Sequence, residues 1–204
     1  MKNIILSISL LTLVGSWAAG QTPANTCNIN VGEKPTKLHD KFAQDFPEIT
    51  LRGYGTVVED GIYRGSRPGS EDDFRYLKAI GIKSILSLET MDFNTDPVER
   101  GAAKVGIHVA VKPIEASPIE PSQESVQAAL DFLSDKANWP VYIHCNFGYH
   151  RTGMLVALYR VKSEGCSLAA AKEEMKDFGY NPNYVLVYGL MKYLDDHAGP
   201  NSGN

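Results

Sequence analysis

Cysteine is scarce in this chain: Cys27, Cys145 and Cys166 are the only three in 204 residues. No Cys-x-x-Cys or His-x-x-x-His pair occurs. That removes the usual spacings of a structural zinc site, and His144, Cys145 and His150 alone fall short of the four ligands zinc needs. No metal and no cofactor is expected. Positive charge is also in short supply, with 20 Lys and Arg against 24 Asp and Glu and a net charge of −4. A mildly acidic chain is a poor general binder of nucleic acid or anionic membrane, so neither is expected as a partner. There is no repeat of twenty to fifty residues and no low-complexity tract. An anionic substrate therefore needs a local positive field.

Long apolar runs are confined to the start. Lys2 precedes apolar residues 4–14, and residues 15–20 are rich in small side chains. This reads as a signal peptide over residues 1–20, cut after Ala18 or Gly20. An uncleaved anchor is the alternative, at the short limit of a span. Losing Lys2 takes the net charge from −4 to −5. The expected location is periplasmic or secreted, with membrane contact only during export. In an oxidising compartment an odd cysteine count leaves one thiol free or linked to another molecule. A Cys27–Cys166 pair leaves Cys145 free; three separate thiols is the other reading. Oligomeric state is not legible.

Residues 21–50, rich in Asn, Pro and Thr, are predicted to form a poorly structured arm. A domain over residues 51–197 follows, then a frayed tail over 198–204. Within the domain, apolar pairs flank Glu59-Asp60-Gly61, a hairpin pattern. Ser70 caps a helix carrying Phe74, Leu77 and Ile80, which Gly81 stops. Residues 82–88 alternate as a strand. Residues 97–105 read as a helix ended by Gly106, and 107–111 as a strand. A Pro-rich loop covers 112–121. Ser122 caps a helix with Val126, Ala129, Leu130 and Leu133 on one face. Residues 141–144 are a short apolar strand, and 153–163 and 167–178 are helices separated by Gly165. Pro182 is expected to open the last helix, with Val187, Leu190, Met191 and Leu194 aligned. Alternating strands and helices predict an α/β fold with a central, mostly parallel sheet flanked by helices.

The loop His144-Cys145-Asn146-Phe147-Gly148-Tyr149-His150-Arg151-Thr152-Gly153 joins a strand to a helix. Phosphate esters are anionic and repel nucleophiles. A helix N-terminus meets that difficulty with unpaired amides and a favourable dipole. Gly148 lets the loop curl, and residues 146–150 can present amides to a phosphate. Arg151 offers a planar fork to two oxygens. The same field favours a thiolate: cysteines in such settings ionise between about 3.5 and 7.5 instead of about 8.5. Thr152 can donate its hydroxyl to the sulfur and help it leave. His144 is expected to support the loop by hydrogen bonding. Tyr149 and His150 either line the mouth, with His150 adding partial charge, or simply pack. The bland reading makes Cys145 a core thiol and Arg151 a surface charge.

His144-Cys145, five residues, then Arg151-Thr152-Gly153 resembles the protein tyrosine phosphatase superfamily. The segment from Ile62 through Tyr63-Arg64-Gly65-Ser66-Arg67 to Pro68 is similar to the opening of atypical dual-specificity phosphatases of plants, fungi and bacteria. Residues 81–88 look like their next strand, and Asn181-Pro182-Asn183-Tyr184 like the start of their final helix. The resemblance implies a dual-specificity phosphatase-like fold. It also implies a two-step reaction, with Cys145 taking the phosphoryl group as a thiophosphate and water releasing it. The partner it implies is a phosphorylated substrate, on phosphotyrosine or an inositol polyphosphate. The loop lacks the lysine of inositol-phosphate relatives. The family acid is an Asp near thirty residues before the cysteine; here Glu115 stands at that distance and Glu120 at twenty-five. Arg64, Arg67 and Lys112 could form an outer basic rim or be plain surface charges. Asp92, Asp96 and His108 are expected to have no catalytic role. Two other classes stay open: a silent phosphate-binding module and a rhodanese-like sulfurtransferase.

Overall fold

A computed structural model describes residue 29 and residues 45–90 and 95–199, without the side chains of Thr95 and Asp96. The signal segment, Cys27, most of the arm, Asp92 and residues 200–204 lie outside the described residues.

The hairpin forms as predicted. Strand β1 (Gly55–Val58) runs antiparallel to β2 (Ile62–Ser66). Asp60 takes φ +55 in the turn, a left-handed conformation that Asp tolerates better than most residues. Helix α1 (Glu71–Ala79) starts on a capping box in which the Ser70 hydroxyl accepts the Asp73 N–H and Asp73 accepts the Ser70 N–H. Asp73 is fully buried and also accepts from the Thr50 N–H and hydroxyl. That bond set changes the status of residues 45–50, which the sequence placed in the arm. Ile49 lies in the core, and Phe46 meets Tyr76 edge-on at 5.5 Å.

Strand β3 (Ser84–Ser87), helix α2 (Thr95–Lys104) and strand β4 (His108–Val111) follow. Helix α3 (Gln123–Ser134) is capped by Ser122 and buries Val126, Ala129, Leu130 and Leu133, the face read from the sequence. Strand β5 (Val141–Cys145) leads to α4 (Arg151–Glu164), then α5 (Leu168–Asp177) and α6 (Tyr188–His197). The sheet order is β1-β2-β5-β3-β4, parallel except for β1.

Strand alternation sorts the core into two layers. Ile62, Leu86, Leu88, Val141, Ile143 and Cys145 belong to the layer with α3, α4 and α6. Ile85 and Tyr142 belong to the opposite layer, with Tyr76, Leu77, Val98 and Ala102. β5 is central and buried along its whole length, so the loop after it stands at the middle of the sheet's C-terminal edge. That edge is where open α/β sheets form their binding crevices.

Near the C-terminus two boundaries differ from the sequence reading. The last helix begins at Tyr188, not at Pro182. Asn181 Oδ1 accepts the Asn183 N–H, an Asx turn that holds the chain out of helix, and a 3-10 turn over Val185–Val187 intervenes. Ala198, placed in the frayed tail, is 2% exposed and packs in the core.

Candidate active site

β5 delivers Cys145 to the rim of the sheet, and α4 begins at Arg151, so the loop between them is short and tightly held. The Leu88 N–H donates to the His144 carbonyl at 3.0 Å, and the Arg67 N–H to the Asn146 carbonyl at 3.1 Å. Gly148 has φ +76, and a Cβ there would meet the Gly65 carbonyl carbon at 2.4 Å. Only glycine fits that turn against the end of β2. Among the described residues, the amides of residues 146–152 find no protein acceptor. They remain available at the start of α4, where the helix dipole adds positive potential.

Cys145 is a free thiol, 3% exposed, at the floor of this loop. Cys166, just past α4, is buried and disulfide-bonded. Arg151 is half-buried, and its Nη1 donates to the Leu88 carbonyl at 3.2 Å, which anchors the guanidinium over the end of β3. Thr152 is fully buried in the first turn of α4, with no partner for its hydroxyl among the described residues.

His144 points to the opposite layer from Cys145 and is sealed from solvent. Burial lowers its pKa to about 3, so the ring is neutral. Its Nδ1 lies 3.3 Å from the Cys145 carbonyl oxygen, a bond that requires the Nδ1–H tautomer. The 3.8 Å approach of Glu89 to the same nitrogen is therefore not an ion pair. His144 supports the loop and carries no charge into it.

The mouth is aromatic. Phe147 is half exposed and stacks near Tyr149, with ring centroids 6.2 Å apart. His150 lies against Tyr180 and Tyr184 at 5.3 and 5.6 Å and accepts the Asn181 N–H on Nε2 at 3.4 Å. Burial, followed by the Arg151 charge, lowers its pKa. His150 therefore packs in its neutral form and adds no cation to the mouth.

The outer basic rim does not form as expected. Arg64 is completely buried beneath the loop, and Lys112 is a half-buried loop residue. Arg67 adjoins the loop through its N–H bond to Asn146, and its Nη1 meets Glu89 Oε1 at 3.4 Å. The sequence reading passed over Glu89. It is buried at the C-terminal end of β3, where burial pushes its carboxyl upward and the Arg67 and Arg151 charges pull it back. Its position just past a parallel strand, on the same edge as the cysteine loop, was the available signal.

Of the two candidate acids, Glu115 is exposed on the loop beside the mouth side of the sheet and has no ion-pair partner among the described residues. Glu120 is bound to α6 by Lys192 at 2.6 Å and His197 at 3.6 Å. Asp92 lies outside the described residues, and His108 is exposed at the start of β4. Among the described residues no group of three or more His, Cys, Asp or Glu is arranged to hold a metal ion.

The tyrosine phosphatase family profile matches residues 49–197. The chain is 34% identical over 130 residues to the inositol diphosphatase DSP3 of Arabidopsis thaliana, covering 61% of this chain and 62% of that one. It therefore spans about three fifths of the length of that curated relative. A putative tyrosine-protein phosphatase OCA1 of Mycosarcoma maydis is 31% identical, covering 66% of this chain and 84% of its own. The core catalytic domain of the PP-IP phosphatase SIW14 from S. cerevisiae, solved with citrate, superposes with a TM-score of 0.61 at 26% identity. That match covers 71% of this chain and 84% of SIW14's. The free cysteine, its unpaired amides and its arginine thus sit in a fold shared with known cysteine phosphatases, and the chain belongs to the tyrosine phosphatase family.

Proposed function

We propose that this protein hydrolyses phosphate monoesters, with Cys145 as nucleophile and a thiophosphoryl enzyme as intermediate. The observation that carries this is the run of unpaired amides at residues 146–152 around a free cysteine, closed by an anchored Arg151. In the first step the sulfur attacks phosphorus and the ester oxygen departs with a proton. In the second, water attacks the thiophosphate and the thiolate leaves. The loop amides and Arg151 hold the non-bridging oxygens in both steps. The Thr152 hydroxyl, buried without a protein acceptor, is available to the sulfur as it leaves. Glu115 is the acid we favour, because Glu120 is occupied on α6.

An aryl phosphate such as phosphotyrosine is the substrate we favour. Phe147, Tyr149 and Tyr184 offer rings to a ring, and the mouth holds few free cations, since Arg67 faces Glu89 and His150 is neutral. The names of DSP3 and SIW14 favour a second reading, an inositol pyrophosphate. Export is also proposed. Its support is the signal-like segment 1–20 and the disulfide at Cys166, a bond that persists in oxidising compartments.

A panel of phosphotyrosine peptides and inositol phosphates tests the assignment. Phosphate release from the peptides is expected to dominate. Cys145→Ser should lower turnover by on the order of 10⁴-fold or more while keeping binding. Glu115→Gln should slow poor leaving groups by about 10²-fold and spare good ones. Undiminished turnover in Cys145→Ser rejects the mechanism, a clear preference for inositol pyrophosphates rejects the aryl reading, and an unchanged Glu115→Gln rejects that acid.

A further inference from the structure

Arg64 on β2 is in parallel register with Ile143 on β5, and Ser66 with Cys145. Residues in register on parallel strands share a face, as do alternate residues along one strand. Arg64 therefore lies one step beneath Cys145, on the α4 side of the sheet. Three contacts fix its guanidinium. Nη2 donates to the Gly148 carbonyl at 3.0 Å. The Phe178 ring faces Cζ at 4.1 Å. Gly153 in the first turn of α4 lies alongside, where a Cβ would be in ordinary van der Waals contact with Nη2 at 3.6 Å. Nε and Nη1 have no hydrogen-bond partner among the described residues. The charged or titratable groups that act on it are Glu174 from α5, Cys145 from β5, Arg160 from α4 and, from the other face of β5, Tyr142. Glu174 is already held by two bonds to Arg160.

We propose that Arg64 is a positioning residue for the reaction at Cys145, shaping the phosphate loop from below and leaving its positive charge for the thiolate. This rests on the reading of Cys145 as the nucleophile. The shaping follows from peptide geometry. In a trans peptide the carbonyl and the next N–H point in opposite directions. With the Gly148 carbonyl drawn down to Arg64, the Tyr149 N–H is aimed away from the sheet, toward the side where phosphate binds. The charge follows from the missing partner. A buried guanidinium normally sits in a saturated ion pair. Among the described residues the carboxylate acting on it, Glu174, is engaged by Arg160, and the ionised sulfur is the group left to complete the balance. Burial lowers the Arg64 pKa to about 10, while Glu174 and Cys145 raise it, so the guanidinium stays charged at neutral pH.

Arg64→Met and Arg64→Lys test this in the full chain, with circular dichroism and thermal melting to confirm folding. The readouts are kcat and KM on an aryl phosphate, and the pH dependence of inactivation by iodoacetamide. In Arg64→Met the pH of half-maximal inactivation is expected to rise by about 1–3 units, the effect of removing an opposite charge that favours the thiolate. kcat should fall more than KM changes. Arg64→Lys keeps the charge and loses the fork, so its inactivation curve should stay near the parent's while kcat still drops. If Arg64→Met does not fold, Arg64→Lys decides: parental kcat in that variant overturns the proposal. A parental inactivation curve in folded Arg64→Met overturns it as well. Phosphate release by Cys145→Ser overturns the underlying nucleophile reading instead.

Discussion

Arg160 and Arg64 are both sealed inside this domain, at 2% and 0% exposure, yet their surroundings differ. Arg160 ties α4 to α5. It meets Glu174 through Nε and Nη2 at 3.0 and 2.9 Å, and Glu164 through Nη1 at 2.6 Å. Those carboxylates raise its pKa against the lowering effect of burial. Arg64, beneath the phosphate loop, has one bond to a carbonyl, a ring face and, among the described residues, no carboxylate bonded to it. All three guanidinium nitrogens of Arg160 are bonded to carboxylates within the fold. Arg64, by contrast, keeps Nε and Nη1 unbonded among the described residues, directly below the cysteine.

That contrast can be broken by mutation. The larger effect on stability belongs to Arg160. Arg160→Met leaves buried Glu174 without its partner and should destabilise the fold by about 3–5 kcal/mol. The kcat of the molecules that remain folded should stay close to the parent's. Thermal melting with active-site titration checks this, and a lost kcat with an unchanged melting temperature would contradict the division of roles.

A smaller effect is expected from His144, on the face of β5 opposite Cys145. Its pKa falls from 6.5 to about 3 on folding. As pH drops below 6.5 the unfolded chain takes up a proton that the folded one refuses, so stability is lost between pH 6.5 and 3. Glu89, whose carboxyl is pushed upward, acts in the opposite sense and offsets part of the loss. His144→Asn should therefore melt with a shallower pH dependence across that window, by roughly 1–3 kcal/mol. Equal slopes in the two proteins would remove His144 as the cause.

The sequence made the local devices plain. The caps at Ser70 and Ser122 are set by side chain and backbone within three residues, and both form. Cys145, Gly148 and Arg151 were legible because their spacing is itself the chemistry. Arg64 was misplaced on the surface because a charge is buried by what covers its strand, and α4 and Phe178 lie about ninety or more residues away along the chain. Its phase offered a warning: Arg64 alternates with Ile62, which is wholly buried, on the inward face of β2. The start of α6 was misread because the Asx turn at Asn181 competes with the helix that Pro182 would otherwise open.

The most direct measurement quenches the enzyme with acid during the first turnover of an aryl phosphate and maps the phosphoryl group by mass spectrometry. A phosphoryl group on the sulfur of Cys145, absent from Cys145→Ser and longer lived when Thr152 is replaced by Ala, is the expected result. Full-speed turnover with Cys145 never modified would contradict the account.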